Sequence, residues 1–321
     1  MNPMAEDDVD RPETVEDLDF ALEDLAGKRG YHRQLDADHT ATFLPRGGAL
    51  IVSFEETDET LARATGLPVA FDFAEEKSWS VLHIAARRRT WFRGDAVFSF
   101  FDELSDDVLF DEYDRVIFFG AGTGGYAAAA YSVAAPGARV IAVSPFASAD
   151  LARAGWDSRV RDTLEVQGAP RYAFAPEMIV AAEEAFILFD KTSLFEHVHA
   201  SLFYGDNVTR LAVPGLGWIR GVPLERSLEG IGALHPLVQG FGLGALDRVG
   251  AYGLLRARYR HNPYLRALLD RTVERGGDRL TARLCQKVLS QGKAPAFRRR
   301  LREARARLEA EGTLPDWLSE A

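Results

Sequence analysis

Cysteine is almost absent from this chain of 321 residues, and the single one, Cys285, excludes an internal disulfide and a zinc site built from cysteines. A secretory leader is also missing from the start. Met1 to Leu18 is acidic and has no basic region followed by an apolar run, so a reducing, cytoplasmic setting is expected. Internal repeats are lacking, and biased composition is confined to the acidic start and the arginine-rich end. Charge is lacking over one long stretch, Val116 to Ala138, which has to be weighed as a membrane span. Gly120, Gly122, Gly124 and Gly125 would weaken such a helix, and the stretch divides into strand, turn and helix, so no transmembrane segment is expected. What remains is 47% hydrophobic and 27% charged, the composition of a globular protein with a large core. The length suits two domains, or one α/β domain with appendages.

The net charge of −10 is unevenly placed. From Arg248 to Glu309 there are about 17 Lys and Arg against about 5 Asp and Glu, leaving about −22 for the rest of the chain. A basic end of this kind suits nucleic acid or anionic lipid, or is a solvated helical face matched to the acidic body. No zinc-finger or RNP-type motif accompanies it, and nucleic acid is not the expected partner.

Hydrophobic spacing sets the element order. Residues 14 to 28 read as a helix, with Thr14 and Asp17 as a capping pair and Val15, Leu18, Leu22 and Leu25 along one face. Thr40 to Leu44, a turn at Arg46-Gly47-Gly48, and Leu50 to Phe54 read as a hairpin leading into a buried strand. Strands follow at 80–85 and 115–119, with the helical stripe Val97, Phe100, Phe101, Leu104 and Val108 between them. After an alanine-rich helix at 126–135, strands are expected at 138–143, 185–189 and 208–213. This alternation predicts an α/β fold with a mostly parallel sheet and helices on both faces. Past residue 230 three helical stripes appear, beginning at Asn262-Pro263 and divided by Gly276-Gly277 and Gly292. The expected organisation is an acidic helical segment (1–39), an α/β domain (40–240) and a basic α-helical C-terminal extension (241–321).

The segment Gly120-Ala121-Gly122-Thr123-Gly124-Gly125-Tyr126 carries most of the functional information. Gly120, Gly122 and Gly125 match G-x-G-x-x-G, which lets a backbone approach a dinucleotide pyrophosphate at a helix N-terminus. The acid that should follow about 20 residues later is missing, because the next strand ends at Val143-Ser144-Pro145. The same segment resembles the nucleophile elbow G-x-S-x-G-G-Y of the α/β-hydrolase superfamily, together with the strand before it, the helix and strand after it, and Ser144-Pro145. The resemblance spans about residues 40–240. It implies an α/β-hydrolase fold and a site at the turn. In this chain the nucleophile position is Gly122, which has no side chain. A frame shifted by one makes Thr123 the nucleophile, between Ala121 and Gly125.

The resemblance also implies an acid after a late strand and a histidine after the last one. Asp190 follows the strand at 185–189, with Glu196 as a nearby substitute. Trp218 stands where similar proteins often carry histidine, and His235 lies further on. The standard Ser-His-acid triad is therefore read as lost, with the pocket binding a small molecule or a protein partner. Gly120, Gly122, Gly124, Gly125, Ser144 and Trp218 are the candidate ligand-binding residues. The backbone N–H of Thr123, and one from the loop after Phe54 around Glu55, are candidate donors. Two alternatives remain open: an acyl hydrolase using Thr123 or Ser144 with Asp190 and His235, and a nucleotide site at 120–125. No cofactor and no metal are called for; His197 and His199 read as solvated helix residues, and Cys285 as a buried, inert thiol.

Overall fold

Five successive residues, Leu50 to Phe54, are buried on both faces of their strand, as are all seven residues from Ser80 to Ala86. Runs of this kind belong to the middle of a parallel sheet covered on both sides rather than to an alternating, half-solvated one. The structure, a computed structural model, describes residues 11–161, 171–219 and 221–319. Its strands are β1 (Tyr31–Gln34), β2 (His39–Leu44), β3 (Ala49–Glu56), β4 (Ser80–Ala86), β5 (Arg115–Ala121), β6 (Arg139–Val143), β7 (Glu184–Phe189) and β8 (Val208–Ala212). They form one sheet in the order β1-β2-β4-β3-β5-β6-β7-β8. β2 pairs antiparallel with both of its neighbours and is the one reversed strand of the eight; the pairs from β4 to β8 are parallel.

The hairpin expected between β2 and β3 does not form, because β4 lies between them. The connection at 45–48 therefore crosses the start of β4, and the Ser80 hydroxyl there accepts from the backbone N–H groups of Arg46 and Gly47. A Cβ on Gly47 would stand 2.2 Å from the Ser78 carbonyl oxygen, so only glycine fits this crossing.

Helices cover both faces. α1 (Val15–Ala26) begins at the Thr14 and Asp17 capping box. α2 (Thr57–Leu61) and α3 (Val69–Lys77) connect β3 to β4, α4 (Asp95–Asp106) precedes β5, and α5 (Thr123–Tyr131) joins β5 to β6. Three one-turn helices follow β6: α6 (Leu151–Ala154), α7 (Ser158–Arg161) and α8 (Ala175–Met178). α9 (Leu194–Leu202) lies between β7 and β8; after β8 come α10 (Leu224–Gly230), α11 (Leu234–Gly242) and α12 (Arg248–Leu255). The chain continues through α13 (Asn262–Glu274), α14 (Asp278–Leu289), α15 (Pro295–Ala310) and α16 (Asp316–Ser319).

Val52, Phe54, Phe118 and Val140 meet α4 and α5 on one face of the sheet. Every residue of α5 is buried, which an all-round apolar helix requires. On the other face Ile51, Ile117, Phe119 and Ile141 meet α1, α3, α10 and α11, and this core runs on without a break to Tyr264, Leu269, Cys285 and Phe297 of the C-terminal helices. Burial pushes the Cys285 thiol up to about 11, so it stays protonated at neutral pH. Among the described residues no helix is long and apolar enough to cross a membrane.

Candidate functional site

At the end of β5 the chain reverses through Gly122, whose backbone sits at φ +56° and ψ −118°, a region open essentially to glycine. Its N–H donates to the Val143 carbonyl of β6, which holds the vertex to the neighbouring strand. Gly120 and Gly124 flank the vertex for steric reasons. A Cβ on Gly120 would stand 2.2 Å from the Gly124 carbonyl oxygen, and one on Gly124 would stand 2.2 Å from the Phe54 carbonyl oxygen of β3. The two closed positions thus lie two before and two after residue 122. At Gly122 itself an added Cβ would meet nothing within 4 Å. The frame centred on Thr123 lacks this property, because Ala121 already carries a Cβ and Gly125 makes contacts of 3.2 Å rather than 2.2 Å.

The vertex opens into a cavity of about 210 Å³ at the C-terminal ends of the strands, the place where ligands of α/β sheets bind. Thr123 and Ser144 both line it. The Thr123 hydroxyl donates to Glu56 Oε1 at 2.6 Å, and the Ser144 hydroxyl to Glu196 Oε2 at 2.7 Å. Ser144 itself sits at φ +46°. The expected loop around Glu55 is not a loop: β3 continues to Glu56, with Glu55 and Glu56 in register with Ala85 and Ala86 of β4. Both glutamates turn up on the cavity lining instead.

Asp190 follows β7 and is fully buried. Its carboxylate accepts from the backbone N–H groups of Thr192, Gly215 and Gly217 and from the Thr192 hydroxyl, over 2.8 to 3.2 Å. A side chain on Gly217 would collide with that carboxylate at 2.8 Å. Asp190 therefore anchors the turn after β8, and Glu196 caps the Asp190 N–H at 2.9 Å. Trp218 closes that turn, and its side chain lies outside the described residues. His235 is on α11, with Nδ1 3.2 Å from Glu76 of α3 and its ring edge-on to Phe73. Gly120, Gly122, Thr123, Gly124, Gly125 and Ser144 are thus brought to one corner of the fold, while Asp190 and His235 have their polar partners elsewhere. Among the described residues that line the cavity there is no histidine.

An acid–imidazole–hydroxyl relay does exist away from that lining. Asp36 holds His39 Nδ1 at 2.9 Å, and His39 Nε2 is 2.6 Å from the Thr90 hydroxyl. Thr90 also accepts from the Phe92 N–H, so the relay clamps the left-handed pair Trp91 and Phe92 into the core. His199, expected in solvent beside His197, is buried: Nδ1 accepts from the Ala147 N–H at 3.1 Å, which places the proton on Nε2, facing Asp157 at 3.1 Å. Helical spacing turns His197 outward and His199 inward. Among the described residues no cluster of metal-ligating side chains occurs.

Burial holds His83 down to about 3, helped by the charges of His32 and Arg63, and holds His199 down to about 4 against the pull of Asp157. Unfolded, both rings take a proton near pH 6.5. The unfolded state therefore binds more protons below that pH, and the stability tied to the neutral rings is present above 6.5 and is lost as the pH falls toward 4 and 3. Urea unfolding between pH 6.5 and 4 should show stability falling with acidity, and the His83→Gln variant should reduce the slope by about 1.4 kcal/mol per pH unit. An unchanged slope would remove His83 from this account.

Missing from the sequence reading was Arg63, which is 3% exposed beside the cavity. It reaches Glu55 at 2.7 Å, Glu229 at 2.9 Å, and Glu225. Glu225 and Glu229, one helical turn apart on α10, were the visible signal of a shared cation. Burial raises Glu55 to about 7, against the pull of Arg63 and with the repulsion of Glu225. Burial would lower Arg63, but Glu55, Glu225 and Glu229 hold it above its ordinary value.

An eight-stranded sheet in this order, with one reversed strand and a strained glycine vertex between β5 and α5, is an α/β-hydrolase fold. No protein-family model matches the sequence, and no curated protein matches it. Among solved structures the chain is similar to carboxyl esterase 2 from the fungus Tuber melanosporum, at 12% identity and a TM-score of 0.42 over 71% of this chain and 86% of that one. An S-formylglutathione hydrolase from Agrobacterium tumefaciens gives 13%, 0.39, 57% and 84%. The capsule O-acetyltransferase of Neisseria meningitidis serogroup A gives 10%, 0.39, 56% and 85%.

Proposed function

We propose that this protein binds a small molecule, or a side chain of a protein partner, in the elbow cavity, and does not carry out acyl transfer through a Ser-His-acid triad. The observation that carries this reading is Gly122 at the vertex: the backbone keeps the strained conformation of an elbow, and no nucleophilic atom stands on it. The two nearby hydroxyls, Thr123 and Ser144, are each bonded to a glutamate rather than to an imidazole. A carboxylate at neutral pH is a weak base toward an alcohol. Glutamates around the glycine turn also disfavour the pyrophosphate of a dinucleotide.

Intact-protein mass after incubation with a fluorophosphonate probe tests the reading. The expected result is an unmodified, folded protein. An adduct mapped to Thr123 or Ser144 would establish an active nucleophile and overturn the binding role.

A further inference from the structure

Away from the elbow cavity, we propose that the C-terminal helices α14 and α15 dock on the surface of an anionic lipid bilayer, with Leu280 entering the headgroup layer among their arginines and lysines. Residues 278–310 hold ten Lys and Arg against three Asp and Glu. Each of the three acids is already paired. Asp278 holds Arg307 at 2.6 Å, Glu303 is shared by Arg300 at 2.8 Å and Arg299 at 3.7 Å, and Glu309 holds Arg305 at 2.9 Å. Among the described residues Lys287, Lys293, Arg298 and Arg302 have no anionic partner, and all four are exposed. Arg279 donates to the Thr313 carbonyl, and the Arg283 guanidinium lies 4.8 Å from the centre of the Trp317 ring, so both keep their charge. The pairing inside the two helices thus uses up every acid and leaves six cations over, which gives this face charge to spare for an outside anion.

Packing fixes which way these side chains face. Thr281, Ala282, Cys285 and Val288 of α14 and Phe297, Ala304 and Leu308 of α15 are buried. Arg279, Arg283 and Lys287, four residues apart, therefore run outward along α14, and Arg298 and Arg302 outward along α15. Leu280 stands on the same outward side, three residues before Arg283 and seven before Lys287, and is 66% exposed. An apolar side chain set among cations is the pattern of a helix lying in a membrane interface, where lipid phosphates meet the charges and the long basic side chains cover the apolar one. Nucleic acid is less well served, because neither helix exposes an aromatic ring on which a base could stack; Phe297, the aromatic residue of the pair, is buried. The chain outside 248–309 carries about −22, so an anionic bilayer attracts this end and repels the rest, which orients the docked protein.

Sedimentation of the full-length protein with vesicles of phosphatidylcholine, and with vesicles of phosphatidylcholine and phosphatidylglycerol, tests the inference. Binding to the anionic vesicles should be about tenfold tighter or more than to the neutral ones, and should weaken by about tenfold between about 0.05 M and about 0.3 M salt. The triple variant Lys287→Gln, Arg298→Gln, Arg302→Gln removes three charges that pair with no acid in the fold. Its circular dichroism spectrum should be unchanged, while its affinity for the anionic vesicles drops by about tenfold or more. Leu280→Ser should weaken binding by about threefold at constant charge. No sedimentation with anionic vesicles, equal sedimentation with both kinds, or indifference to the triple variant would overturn the docking, and indifference to Leu280→Ser would overturn the entry of that side chain. Tighter binding to a DNA duplex or a single-stranded RNA than to the anionic vesicles, lost in the triple variant, would also overturn it and assign the face to nucleic acid.

Discussion

Gly124→Ala is expected to destabilise the protein by about 3 kcal/mol or more, while Gly122→Ala, two residues away, costs about 1–3 kcal/mol. The difference comes from where the new methyl group lands. At Gly124 it would sit 2.2 Å from the Phe54 carbonyl oxygen, a backbone atom in the middle of a parallel sheet. α5 cannot lift away to make room without opening the packing of Ala127 to Ala130, all buried against β3, β5 and β6. At Gly122 the methyl group finds open space, and the cost is the backbone conformation alone. Urea unfolding of the two variants at neutral pH measures both terms. A smaller loss at Gly124 than at Gly122 would contradict the close-packed elbow and with it the assignment of residue 122 as its vertex.

Replacing Arg63 by Met is expected to cost about 3–5 kcal/mol at neutral pH, because it strands the buried carboxylates of Glu55 and Glu225 without a cation. The effect should depend on pH in a definite direction. Without Arg63 the carboxyls have raised proton affinity in the fold and an ordinary one in the unfolded chain, so protonation favours the folded state. The loss should therefore shrink as the pH falls through 7 toward 4.5, the range already marked by Glu55 at about 7. A loss that is the same at pH 5 and pH 8 would mean that Arg63 acts through packing rather than charge. The triple mutant with Glu55→Gln and Glu225→Gln should recover part of the stability, as removal of both members of a buried pair usually does.

Much of the architecture is legible in local pattern. The capping box at Thr14, the apolar runs of β3 to β8, the proline start of α13 and the glycine breaks near 276 and 292 each appear in the structure at or within a few residues of their expected places. These are short-range properties, decided by the backbone and by neighbours within a turn or a strand. The expected β2–β3 hairpin fails for the opposite reason: a four-residue link permits a hairpin, and only the presence of β4, some thirty residues later, forces the two strands apart.

What the amino-acid sequence by itself determined was the α/β class, the glycine-rich turn after the strand at 115–119 and the lack of a side chain at residue 122, since these depend on residue identity and on steric rules that hold wherever the segment lies. Only the tertiary structure decided how the polar groups are used. Asp190 finds its partners in the turn after β8, His235 finds Glu76, and Arg63 finds Glu225 and Glu229 more than 160 positions away. Those pairings follow from chain crossings and burial, which set the electrostatics of a cavity and which local spacing does not specify.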